Sequence, residues 1–145
     1  LAEYLFLTYL RVILPNKKKD VLICDRYLHD AVVDFILNCS IPVSKINIFL
    51  NNFISGLFPK PDRVYFIDVS AKVGLSRKKD GTSLPYLEDR VPMYRCVAEV
   101  ANAMRVDGNQ SLTEIMNIIR EDAIKYLNKN NINYSSGVTM KEGRL

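Results

Sequence analysis

An arginine beside an aspartate at the end of an apolar run is the pairing in this sequence best suited to chemistry. It occurs at Asp25-Arg26-Tyr27, directly after Val21-Leu22-Ile23-Cys24. A guanidinium can grip phosphate oxygens with two parallel hydrogen bonds, while the neighbouring carboxylate holds a magnesium-bound water or orients another group. The same residues serve equally as a local ion pair capping the next helix. A second basic group, Arg77-Lys78-Lys79, leads into the polar stretch Asp80 to Ser83 and then to Arg90 and Arg95. A mobile loop flanked by arginines can close over a polyphosphate and neutralise charge as it is transferred. A solvated basic loop is the plainer reading. The three cysteines, Cys24, Cys39 and Cys96, form no CxxC and His29 is the sole histidine, which argues against a zinc site. Scattered, odd-numbered cysteines fit a reduced, cytoplasmic setting.

These residues need elements to position them. At 145 residues, with 48% hydrophobic and 25% charged residues, the chain has the make-up of one globular domain with a real core. Its apolar stretch from Tyr4 to Leu14 is interrupted by Arg11 and is too short for a bilayer. The net charge of +4 suits an anionic ligand and suits a plain solvated surface equally.

Leu1 to about Leu14 reads as a helix with no capping residue before it, closed by Pro15 and Asn16; this predicts a missing N-terminal segment. Val21 to Cys24, without alternation, reads as a strand covered on both faces. A helix follows with Ala31, Val32, Phe35 and Ile36 inward, ending near Asn38. Ser44 reads as the cap of a helix from Lys45 to Ser55, with Gly56 as its stop. Arg63 to Val69 is the clearest strand, and Ser70 caps a helix from Ala71 to about Lys78. A long helix is predicted from Leu87 to about Ala103, kinked by Pro92, then a short strand from Met104 to Asp107. Ser111 and Glu114 form a capping box for an apolar helix through Ile115, Ile118, Ile119 and Ile124. The domain spans 1–128 and a polar tail 129–145. Helices and strands alternating in this way predict a parallel α/β sheet, with ligands outside the C-terminal strand ends after Cys24, Val69 and Val106.

The order of motifs resembles the thymidylate kinases. Asp25-Arg26-Tyr27 is similar to their Asp-Arg-Tyr/His element, and Gly56 to Val69 is similar to Gly-Leu…Pro-Asp-x-x-x-x-Leu-Asp-Val. Ala71 to Arg77 resembles the next helix, ending in the arginine that opens the lid. Val106-Asp107-Gly108-Asn109-Gln110-Ser111 is similar to Ile-Asp-Ala-x-x-Ser before the last helix. The likeness runs from Leu1 to about Leu127. It implies a three-layer parallel sheet with flanking helices, of P-loop nucleotide-kinase type and incomplete at the N-terminus. It implies transfer of the ATP γ-phosphoryl to a nucleoside monophosphate similar to dTMP, with Mg2+ and ATP. Arg26 would bind the acceptor phosphate, with Tyr27, Asp30 and Arg95 on the acceptor side. Asp25 would stand beside the metal and the transfer centre, Arg77 against the adenine, and Arg90 would add catalytic lid charge. Asp68 and Asp107 would be structural turn residues. A homodimer follows by analogy.

Asp30 stands where the family has serine, and Asp34-Phe35 replace a Tyr-Gln pair near the base pocket. Phenylalanine cannot hydrogen-bond a pyrimidine edge, which argues for an acceptor other than thymidylate. The 145 residues contain no G-x-x-x-x-G-K-S/T, the loop that cradles donor phosphates. In the family, the strand feeding that loop lies between the strands placed here at Val21 to Cys24 and Arg63 to Val69. Two readings follow: a kinase seen as a fragment, or a non-catalytic nucleotide-binding (pseudo-kinase) module. A nucleic-acid partner has little support, because no basic stripe interleaved with aromatics is present.

Overall fold

The computed structural model describes residues 21–50, 59–78 and 80–132. Helix α1 is Leu28–Asn38, built on Leu28, Val32 and Ile36 at four-residue spacing, with Val33 alongside; all four are buried. The predicted inner face thus shifts: Phe35 and Ala31 are only partly buried. A 3-10 turn, Val43–Lys45, precedes the short α2, Ile46–Phe49. The expectation for Ser44 is corrected here. Lys45 is the residue before the helix, no side chain caps it, and Ser44 lies inside the turn. The expected stop at Gly56 lies outside the described residues, as do Leu1 to Leu14 and Lys17 to Lys19.

Strand β1, Tyr65–Asp68, is followed by α3, Ala71–Arg77, whose cap Ser70 accepts from the Val73 N–H at 3.4 Å. Helix α4, Leu84–Val100, begins earlier than predicted. Ser83 accepts from the Tyr86 N–H at 3.4 Å, and Pro85 occupies the first turn, where its missing N–H costs nothing. The helix continues through Pro92 although proline cannot donate to the Glu88 carbonyl. Strand β2 is Met104–Asp107 and helix α5 is Leu112–Lys129, opened by the predicted capping box.

The two strands are parallel, with Tyr65 opposite Met104 and Asp68 opposite Asp107. The crossover that a parallel pair requires is carried by α3 and α4 between them. The core is mostly helical: Val32, Val33, Ile36, Ile46, Leu50 and Val97 form one cluster, with Met93, Tyr94 and Val100 against it. Helix α4 packs against α1, α2 and α3, and α5 packs along β2. Tyr65 ties α5 to β1: its hydroxyl donates to Asp122 at 2.8 Å, and Arg63 reaches the same carboxylate at 3.5 Å. Burial, then that hydrogen bond, pushes the Tyr65 phenol up to about 12.

Val21 to Cys24 is not a strand. Its backbone is irregular and the side chains are exposed, Ile23 at 79%. Among the described residues, no strand lies beside it to pair its N–H and C=O groups, and an unpaired apolar run has no ladder to hold it. The observed architecture is therefore mixed helix with a small two-stranded parallel sheet, compatible with α/β. Among the described residues, no helix is long and apolar enough to cross a membrane.

Candidate functional site

Two rows of side chains face each other across α1 and α4. On α1 and the residues before it, Arg26, Asp30 and Asp34 recur every four residues; on α4, Tyr86, Arg90 and Tyr94 do the same. Positions four apart lie on one helix face, so each row forms a ridge. The ridges interlock. Arg26 Nε lies 3.4 Å from Asp30 Oδ2, and Arg90 Nη2 donates to Asp34 Oδ1 at 3.1 Å. The Tyr94 phenol lies against Asp30. The phenol is pushed far up, first by burial, then by the neighbouring Asp30 and by the charge of Asp34, with Arg26 opposing.

Arg26 holds a left-handed backbone, φ 60°, which an L side chain enters at a cost of about 1–2 kcal/mol. That turn lays its guanidinium back along α1 to Asp30, instead of away from the helix. The side chain is nevertheless 68% exposed, so its ion pair is worth little and can be exchanged for another anion. Arg90 is the more enclosed of the two. Its guanidinium lies 3.6 Å from the centre of the Tyr86 ring, and its Nε is buried with no hydrogen-bond partner. Stacking on Tyr86 and pairing with Asp34 hold the planar group in one orientation. Tyr86 also lines an open depression of about 390 Å³ together with Lys78, Asp80, Gly81, Thr82 and Ser83.

Elsewhere the predicted residues are placed differently. Arg95 does not join the α1 ridge; its Nε donates to both oxygens of Asp68, at 3.1 and 3.2 Å. Asp68, at the end of β1, is buried and also pairs with Arg105 from β2. Arg77 donates to the Gly108 carbonyl at 2.6 Å, just past β2. Gly108 in turn donates to the Asp68 carbonyl at 2.9 Å, and a β-carbon there would collide with Val69. Asp107 turns into its own loop, accepting from the Asn109 N–H at 2.9 Å and the Asn109 amide at 2.7 Å. Tyr27 donates to the Pro59 carbonyl at 3.0 Å, and its ring sits 6.3 Å from that of His29.

Asp25 is exposed. Among the described residues, no three His, Cys, Asp or Glu side chains gather as a metal site. One carboxylate fits the way magnesium is commonly held, through a carboxylate and substrate phosphates with retained waters; it does not make a resident protein cage. Asp34, Tyr86, Tyr94 and Arg105 were not singled out as site residues in the sequence. The four-residue recurrence of the two ridges is the signal that would have revealed the first three.

The chain matches no family model, no curated protein and no solved structure.

Proposed function

We propose that this chain carries the acceptor side of a nucleotide kinase of the thymidylate-kinase type, within a three-layer P-loop-type α/β fold, and binds a nucleoside monophosphate. The observation that supports it is the gathering of Arg26 and Arg90, far apart in sequence, on one face of α1. Arg26 exchanges Asp30 for the phosphate of the acceptor, a trade between two anions for an exposed guanidinium. Tyr94 keeps its proton and holds Asp30 as Arg26 leaves it. Arg90, fixed on Tyr86, supplies a positive charge that needs no reorganisation when phosphate charge develops. Asp25 would hold a water of a magnesium ion bound to nucleotide phosphates, and ATP would supply the transferred group, with Arg77 beside its adenine.

Titration calorimetry of the chain with a panel of nucleoside monophosphates, dTMP among them, and with the matching nucleosides tests the reading. We expect a monophosphate to bind at least tenfold more tightly than its nucleoside, with Arg26→Ala removing that advantage while circular dichroism is unchanged. Equal affinity for dTMP, other monophosphates and their nucleosides would sink it. A second reading is a nucleotide-binding module without transfer activity. Binding of a monophosphate with no ADP formed from added Mg-ATP is the outcome it predicts.

A further inference from the structure

Asp68 is the only buried polar or charged residue among the described ones, and it carries two arginines. One guanidinium would neutralise it. The second has no carboxylate of its own, at the C-terminal end of β1, where parallel sheets bind their ligands. Both arginines use only part of their donor set on Asp68: Arg95 through Nε, Arg105 through one terminal nitrogen. Among the described residues, no acceptor meets the terminal nitrogens of Arg95, and the two side chains are 43% and 65% exposed. Asp107, beside Asp68 in register, forms no ion pair with either arginine; its carboxylate accepts from Asn109.

The arrangement differs from the ridge on α1. There, each arginine has its own aspartate. Here, one buried carboxylate aims two guanidiniums from two elements, α4 and β2, and each keeps donors directed elsewhere. We propose that Arg95 and Arg105, held by Asp68 at the end of the sheet, bind a phosphate-bearing small molecule, with Asp68 as the positioning residue. Forked donors match phosphate oxygens in pairs, and two forks suit a diphosphate better than a carboxylate. This site is built from residues other than Arg26 and Arg90, so it stands or falls separately from the acceptor site.

Inorganic pyrophosphate is the probe, with ionic strength held constant by chloride and binding read by thermal shift and calorimetry on the full chain. Pyrophosphate is expected to raise the Tm of the unaltered chain beyond chloride. Arg95→Gln and Arg105→Gln should each weaken binding at least tenfold, while Arg120→Gln, at an exposed position on α5, leaves it within twofold. Asp68→Asn separates position from charge. It makes the site more positive by one unit, so a site acting by charge alone would bind more tightly, whereas a positioned site binds more weakly. Loss confined to Arg26→Gln would assign the anion to the α1 ridge and overturn the proposal. So would pyrophosphate affinity unchanged in both Arg95→Gln and Arg105→Gln, or no response beyond chloride. Tighter binding by Asp68→Asn would remove the positioning role.

Discussion

His29 is the sole histidine in the chain and sits partly buried behind Tyr27. Burial lowers its pKa below the ordinary 6.5, with the nearby Asp30 charge opposing. A base whose folded value is depressed contributes stability that is complete above its unfolded value and lost as pH falls through the folded one. The chain should therefore lose stability as pH drops below about 6.5, and His29→Gln should flatten that dependence; urea melts from pH 7.5 to 5 measure it. An unchanged slope would mean the imidazole is solvated. Gly108 gives a second expectation at this scale. Its missing β-carbon allows the turn after β2 to close on Val69 and the Asp68 carbonyl. Gly108→Ala should destabilise by ~1–3 kcal/mol through overpacking, and it should also disturb Arg77, which donates to the Gly108 carbonyl. The sequence showed Asp25-Arg26 and the basic residues plainly, but not their partners. Asp68 read as a turn residue because nothing local in Phe66-Ile67-Asp68-Val69 announces two arginines arriving from 27 and 37 positions away.

Among the elements, the ones legible beforehand were those that carry their own signals. The capping box is complete: the Ser111 N–H donates to Glu114 at 2.9 Å, and Ser111 accepts from the Glu114 N–H at 3.3 Å. Hydrogen bonds from the Ser111 side chain and then its backbone hold the Glu114 carboxyl below its ordinary 4.5. That contribution is complete above pH 4.5 and is lost as pH falls through the lower folded value. Ser111→Ala should cost about 1 kcal/mol and make α5 fray first, seen as faster amide exchange at Leu112 to Ile115. Exchange no faster than in the unaltered chain would show that packing on β2, not the cap, starts the helix. The start of α4 was missed for a different reason. Asp80 to Ser83 reads as one polar loop, and only the Ser83 cap with Pro85 behind it separates loop from helix.

At the scale of the molecule, a parallel sheet containing both β1 and β2 was foreseen, and the strand at Val21 to Cys24 was not found. The difference is in partners. Tyr65 to Asp68 has β2 beside it and α5 tied to it through Asp122, whereas Val21, Leu22 and Ile23 are exposed with no strand alongside among the described residues. Exposed, apolar, unpaired backbone invites association between chains. Ile23→Lys should leave thermal stability within about 0.5 kcal/mol and reduce self-association in sedimentation velocity. A large loss of stability would mean that Ile23 is covered in solution.

The helix α4 carries Arg90 toward one ridge and Arg95 toward the end of the sheet. Five residues of helix separate them by about 7.5 Å along the axis and about 140° around it. Both therefore belong to one rod, and between them stands Pro92, where the rod lacks the rung to Glu88. Any rotation of this rod moves both guanidiniums, and the missing rung at Pro92 is where its two halves can turn separately.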